Sequence, residues 1–266
     1  MAEPLRLCLL TESSMSRWQL EAVRKLLNEQ DVVISLVVVH HPRSRTRKEK
    51  LDRAIQLREW TLVAGGLALM RKLRGTHPLT ESIPLHEISE LNGIEQVACT
   101  PDIINGWKYQ IQPEIADEVA AKADIALLCG FGFIIGSILT APKHGVLSFH
   151  HGDLRKYRGQ PMGFWEYLRG EETAGVTLQR LTEKLDGGEI IYLKEVDISN
   201  ARYLREVKTL LLAESVNMLS EGVRRVRDES FTPETPTELG QIYRIPKGKP
   251  VLKYLAKSIL AAARLS

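Results

Sequence analysis

The sequence predicts an α/β domain built on a Rossmann-like, doubly wound and mostly parallel sheet. Three observations carry that reading. The chain opens with a short apolar run, a polar loop and a helical stretch, in that order. A Val- and Ile-rich run follows at once. A helix-then-strand pair then recurs beyond residue 112, on the far side of an irregular middle. Strand and helix signals in alternation are what parallel strands joined by crossover helices leave in a sequence.

The elements follow in order. Leu5 to Leu10 is almost wholly apolar, the pattern of a strand covered on both faces. Thr11 to Ser14 reads as a loop, and a helix begins near Ser16 with Trp18, Leu20, Val23, Leu26 and Leu27 at helical spacing. Val32 to Val39 is a second buried strand. The irregular middle runs from about His40 to Gly106. Within it, residues 47–73 show helical spacing at Leu51, Ile55, Trp60, Leu62 and Leu69, broken by Gly65-Gly66. A surface helix pair with a solvated basic face accounts for this stretch; a docking patch for an anionic substrate or partner is the rival account.

Residues 113–123 form a helix with Pro113 at its start, and Asp124 to Cys129 forms a strand. Val146 to Phe149, Gly175 to Leu181 and Ile190 to Ile198 read as further strands. A short helix holds Phe164, Trp165 and Tyr167, read as core packing. A long helix covers about Tyr203 to Arg227, with Leu204, Val207, Leu211, Met218 and Val226 near one stripe. The expected organisation is one domain over 1–228 with a basic helical insertion near 43–75. Residues 229–266 then read as a Pro-containing linker and a short basic amphipathic tail. That tail sets Leu252, Leu255, Ile259 and Leu260 against Lys253, Lys257 and Arg264. It is expected to pack on its own domain; peripheral contact with a membrane is the rival reading.

Composition is that of a globular protein: 44% hydrophobic, 26% charged, net charge +3. Nothing global calls for nucleic acid, and none is expected as a partner. The charge is unevenly placed. From Arg43 to Arg74 ten basic side chains face three acidic ones, +7 locally. Cys8, Cys99 and Cys129 are too scattered for a disulfide framework or a zinc site. The first residues lack the apolar stretch of a secretory signal, and the uncharged run Ile125–Pro142 is broken by three glycines. No transmembrane segment and a cytoplasmic location are the expectations.

Chemistry concentrates in residues 145–159, GVLSFHHGDLRKYRG. A strand ending there lies at the carboxyl edge of the sheet, where open α/β folds place their sites. Side chains alternate along it, so Ser148 and His150 share one face while Phe149 and His151 share the other. Neighbouring histidines that diverge make a poor chelate, and no metal site is expected. Downstream, in LTEKLDGGEI, Asp186 precedes two glycines on a tight turn. A histidine at a strand end and an aspartate on a following loop can meet across one crevice. The carboxylate then orients the imidazole and raises its pKa, as a group that shuttles protons near neutral pH requires.

The stretch from about Asp124 to Ile198 resembles the formyltransferase family, which includes glycinamide ribonucleotide transformylase, the methionyl-tRNA and sugar-amine formyltransferases and formyltetrahydrofolate deformylase. The matching pieces are DIALLCGFGFIIGSIL, GVLSFHHGDLRKYRG and ETAGVTLQRLTEKLDGGEII. The resemblance implies the formyltransferase fold and a folate-dependent N-formyltransferase that takes the formyl group of 10-formyltetrahydrofolate to an amine. By the same resemblance His150 is the catalytic histidine, Asp186 its aspartate, and Ser148 stands where the family carries an asparagine that helps hold the oxyanion. Gly130, Phe131, Gly132, Phe133, Ile134 and Ile135, with Thr182 and Leu185, correspond to the walls of the pterin pocket. Arg158 and Gly159 match the family's Tyr-Arg-Gly step beside the acceptor.

Serine is a shorter donor than asparagine and needs a bridging water or a shifted substrate to reach the same oxygen. Arg155, Lys156 and Arg158 form a basic trio suited to a phosphate or carboxylate on the acceptor. Only residues 229–266 follow the long helix, fewer than the C-terminal barrel of methionyl-tRNA enzymes, which directs the expectation toward a small-molecule amine, an amino sugar first. Two alternatives stand beside it: a formyltransferase-like binding protein of weak or no activity, favoured by Ser148, and a formyltetrahydrofolate hydrolase, echoed by the doubled His150-His151.

Overall fold

The computed structural model describes residues 3–42 and 77–263. The basic stretch Arg43–Arg74, with the helix pair read there, lies outside the described residues.

β1 (Leu5–Thr11) is an inner strand of the main sheet. After β2 (Ser14–Ser16) the chain enters α1 (Arg17–Glu29), where the Gln19 side-chain oxygen accepts the Ser16 amide at 2.9 Å and satisfies one orphan donor of the helix start. β3 (Val32–His40) then pairs parallel to β1, Leu5 facing Val32. β4 (Ser82–Pro84) pairs with β2, and β5 (Gln96–Cys99) adds to β3 as an edge strand. The sequence signals place β5 in the irregular middle. It is four residues long and buries only Cys99, so it leaves almost no periodic trace.

β6 (Asp102–Ile104) and β7 (Lys108–Gln110) form a small sheet that later takes in β9 (Phe133–Ile135). α2 (Pro113–Lys122) leads to β8 (Ile125–Leu128) on the other side of β1, and β10 (Val146–His150) lies parallel beside β8. The strand order thus reverses at the β1/β8 boundary, the switch point where crevices open in doubly wound sheets. After β11 (Tyr157–Gly159) and α3 (Phe164–Arg169), two antiparallel strands, β12 (Thr173–Arg180) and β13 (Glu189–Asp197), complete a seven-stranded sheet in the order β13-β12-β10-β8-β1-β3-β5.

Alternation along the strands sorts the core into two layers. Leu7, Leu9, Val37 and Leu147 pack with α1 and with α4 (Leu204–Arg227), while Cys8, Leu10, Val38 and Val146 pack with α2.

Two features depart from expectation. The segment read as a linker is pinned down: Glu234 and Ile190 exchange backbone hydrogen bonds at 2.8 and 3.1 Å, and β14 (Gln241–Tyr243) pairs parallel with β11. In α5 (Lys249–Ala263) the buried side chains are Val251 and Tyr254, whereas Leu252, Leu255, Ile259 and Leu260 face solvent. The aromatic ring of Tyr254, lodged beside Phe164 and Tyr167, fixes the helix's roll and turns the aliphatic stripe outward.

Candidate active site

The site forms at the carboxyl end of β10. His150 is 8% exposed, and its Nε2 lies 2.9 Å from the Tyr157 carbonyl oxygen. A carbonyl only accepts, so Nε2 carries the proton. Its Nδ1 lies 3.4 Å from Asp186 Oδ1. The other carboxylate oxygen accepts the Gly159 amide at 2.8 Å. The β12–β13 turn that carries Asp186 leaves β12 beside the start of β10, where Leu147 faces Arg180, and folds back along the strand to reach His150.

Both ring nitrogens of His150 therefore face acceptors, an arrangement that suits the doubly protonated ring. Burial is the largest single influence and favours the neutral form, but the hydrogen bond and charge of Asp186, the Tyr157 carbonyl and the nearby Glu166 charge together overcome it. The His150 pKa is held above the ordinary imidazole value. Asp186 responds in kind. Burial alone would raise it, yet His150, the Gly159 amide and Arg158 hold it below the usual carboxylate value.

His151 points to the opposite face. It packs against Trp18 and Phe149, and its Nε2 lies 3.0 Å from Ser215 Oγ, which itself donates to the Leu211 carbonyl. Burial pushes its pKa down to about 3. Two adjacent histidines thus differ in charge because one has a carboxylate and the other does not.

Ser148 is half-buried beside Gln179 of β12, and among the described residues its hydroxyl makes no hydrogen bond. Arg158 does not project freely. Its Nε donates to Gly240 O at 2.7 Å and its Nη1 to Leu185 O at 3.0 Å, tying the Asp186 turn to the segment before β14. Gly159, at φ +90°, lies so close to β14 that an added Cβ would stand 2.0 Å from Tyr243 O. Thr182 Oγ1 donates to Gly187 O and accepts from the Lys184 amide, both at 3.3 Å, which braces the same turn. The rest of the basic trio also has internal partners: Arg155 chelates the buried Asp153, and Lys156 reaches Glu195 at 3.3 Å.

The loop Gly130–Ile135 starts against β1, where Gly130 donates its amide to Leu10 O. It does not present all six side chains to a ligand. Phe131 is 1% exposed and stacks on His40 at 4.7 Å, and Ile134 is 2% exposed within the α2-side core. Those two serve the core through their side chains and leave only backbone to the crevice. Gly132 is exposed, and Phe133, Ile135 and Leu185 are half-buried. Exposed backbone with half-buried apolar walls is a donor set that fits a flat heteroaromatic ring.

Sequence reasoning missed three contributors. The Tyr157 carbonyl and the Gly159 amide are backbone atoms, which no residue letter reports. Glu166 is buried inside the aromatic helix FWEYLR, with its pKa raised by burial and its charge felt at His150. A carboxylate amid aromatics was the available signal.

A doubly wound α/β domain with a buried His–Asp pair at the carboxyl edge of its sheet has the groups that general acid–base chemistry requires. Comparison with known proteins gives that class a family. The profile of the formyl transferase family matches residues 70–223, more than half of the chain, and the chain belongs to that family. The methionyl-tRNA formyltransferase of Bacillus subtilis is 31% identical over 137 residues, 51% of this chain and 43% of that protein. The chain thus spans less than half the length of that relative. Among solved structures, the N-formyltransferase of Helicobacter canadensis in complex with folinic acid and dTDP-3-aminofucose superposes with a TM-score of 0.58 at 14% identity, covering 96% of this chain and 81% of that one. Glycinamide ribonucleotide transformylase 1 of Symbiobacterium toebii gives 0.54 at 17%, covering 88% and 95%. At these identities the two structures speak for the fold.

Proposed function

We propose that this protein transfers a formyl group from 10-formyltetrahydrofolate to the amine of a small molecule, with an amino sugar as the preferred acceptor. The observation that carries the reading is the buried His150–Asp186 pair, 3.4 Å apart, in a chain of the formyl transferase family. Bound in the crevice, the carrier supplies an activated formyl carbon. Gly130, Gly132, Phe133 and Ile135 with Thr182 and Leu185 would hold its ring system.

Everything else falls to the chain's own groups. His150, kept protonated by Asp186, stabilises negative charge developing on the formyl oxygen and supplies a proton to the departing nitrogen. Asp186, low in pKa and fixed by the Gly159 amide, remains an anion that orients the ring and a bound water, and through that water the proton released by the attacking amine returns to His150 after His150 has given up its own. For this His150 must release one of its two acceptors, and the Tyr157 carbonyl, neutral and backbone-borne, is the weaker of them. Ser148, on the same face of β10 with an uncommitted hydroxyl, is the remaining donor for the oxygen.

The amino-sugar preference draws support from the Helicobacter canadensis structure, which binds dTDP-3-aminofucose on the same fold. Formyl transfer is measured with 10-formyltetrahydrofolate and a panel of amino sugars, with His150→Ala and Asp186→Asn as the probes. Each variant is expected to lower kcat by about 10²–10⁴-fold, the range for losing a positioned acid–base group. Unchanged turnover in both variants would discard the mechanism. Formate release at full rate without any amine would move the assignment to hydrolysis.

A further inference from the structure

We infer that the outward face of α5 and the strand before it form a docking surface for an anionic lipid bilayer. Ten large hydrophobic side chains are exposed among the described residues, and six of them, Ile242, Ile245, Leu252, Leu255, Ile259 and Leu260, fall within residues 242–260. Clustering of this kind marks an interaction surface rather than the scattered apolar residues normal on a monomer. The helix is not loosely attached. Val251 and Tyr254 are buried, the Tyr254 ring sits 5.5 Å from that of Phe164, and Lys257 donates its Nζ to the Tyr167 carbonyl while lying 4.0 Å over the Tyr167 ring. The apolar stripe is therefore held facing water.

Charge says what covers it. Arg244, Lys247, Lys249 and Lys253 are exposed in the same stretch, and none makes an ion pair among the described residues. No acidic residue occurs between Gln241 and Ala263. Elsewhere several surface cations have carboxylate partners, as Arg6 has Asp124, Arg17 has Glu81 and Lys122 has Glu95, while the exposed Lys143, Lys184, Arg202 and Arg205 that make no ion pair among the described residues have no cluster of exposed aliphatic side chains in the same stretch. An unpaired cationic border around an aliphatic stripe is complementary to a surface that is anionic at its rim and hydrocarbon beneath. A second copy of the same face would bring like charges together. Single-stranded nucleic acid needs stacking rings that this stripe lacks. At 15 residues α5 is about 22 Å long, short of the ~30 Å hydrocarbon core, so it lies in the interface plane. No described helix is long and apolar enough to cross a membrane.

The test uses the full chain in co-sedimentation with vesicles of phosphatidylserine and phosphatidylcholine, against pure phosphatidylcholine, and it does not depend on formyl transfer. Binding to the anionic vesicles that weakens with salt is expected. The doubles Ile259→Ser with Leu260→Ser, and Lys249→Glu with Lys253→Glu, are each expected to lower the partition coefficient at least about tenfold. Tm and circular dichroism should stay as in the parent, because none of these side chains is buried. Three outcomes would overturn the inference. The folded chain ignores anionic vesicles; both doubles bind as well as the parent, placing the contact elsewhere; or vesicle binding is absent while light scattering shows a dimer that Ile259→Ser abolishes, assigning the face to a second copy.

Discussion

Replacing Gly159 by alanine tests how the Asp186 carboxylate is held. Gly159 sits at φ +90°, and a Cβ there would stand 2.0 Å from the Tyr243 carbonyl oxygen and 3.0 Å from its carbon. Two costs follow. The left-handed backbone costs any side chain about 1–3 kcal/mol. In addition β14 must retreat or β11 must shift, and a shift of β11 weakens the 2.8 Å bond from the Gly159 amide to Asp186, a bond to a charged acceptor of about 1.5–3 kcal/mol. Gly170 provides the control. It has φ +79°, but nothing lies within 4 Å of the place a methyl group would take, so Gly170→Ala meets the conformational cost alone. The two variants should therefore differ by about 2 kcal/mol or more in urea denaturation. Only Gly159→Ala should also reduce formyl transfer, because only there does the carboxylate lose its anchor. Equal destabilisation of the two variants, with turnover intact in Gly159→Ala, would refute the claim that β14 and the Gly159 amide fix Asp186.

Two further expectations concern Ser148 and His151. If the Ser148 hydroxyl serves the formyl oxygen, Ser148→Ala lowers kcat on the order of a hundredfold with KM little changed; steady-state kinetics showing an unaltered kcat removes the serine from the mechanism. His151 contributes to acid stability. Its folded pKa is depressed to about 3 against 6.5 for the free side chain, so below pH 6.5 the unfolded chain takes up a proton that the folded one refuses. Stability present above pH 6.5 is then lost as the pH falls toward 3, with a slope of up to about 1.4 kcal/mol per pH unit. His150 runs the other way: its raised folded pKa contributes stability below pH 6.5 that fades as the pH rises through the folded value. His151→Phe, which keeps a ring against Trp18, should flatten the acid limb by one proton in denaturant titrations at stepped pH. A slope as steep as the parent's would show that another group carries it.

What the sequence disclosed of the fold depended on how each element is covered. β1 and β3 lie between parallel neighbours and two helical layers, so their residues are almost wholly apolar, interrupted only by Arg6 and Ser35 before the polar ends Thr11 and His40, and stand out. β5 sits at an edge with one buried residue and has no such trace. The α5 stripe was visible as a stripe, but its direction was not, because counting aliphatics along the helix gives no weight to one tyrosine wedged between Phe164 and Tyr167. At the site, His150 and Asp186 could be paired from strand alternation, a glycine turn and family likeness. The hydrogen bonds that set their charge come from the Tyr157 carbonyl and the Gly159 amide, and Arg158 looks like a ligand-binding residue until its two carbonyl partners are seen.

The pairing of β14 with β11 separates, along the chain, the scaffold from the brace of the Asp186 turn. All seven strands of the main sheet are in place by Asp197, and the helix that covers them ends at Arg227. The strut beside the Asp186 carboxylate arrives only with Tyr243, forty-six positions after the last of those strands. A polypeptide emerging from the ribosome therefore has its scaffold strands in hand well before the Asp186 turn can be braced, and the proposed chemistry waits on the stretch that also leads into the outward-facing helix.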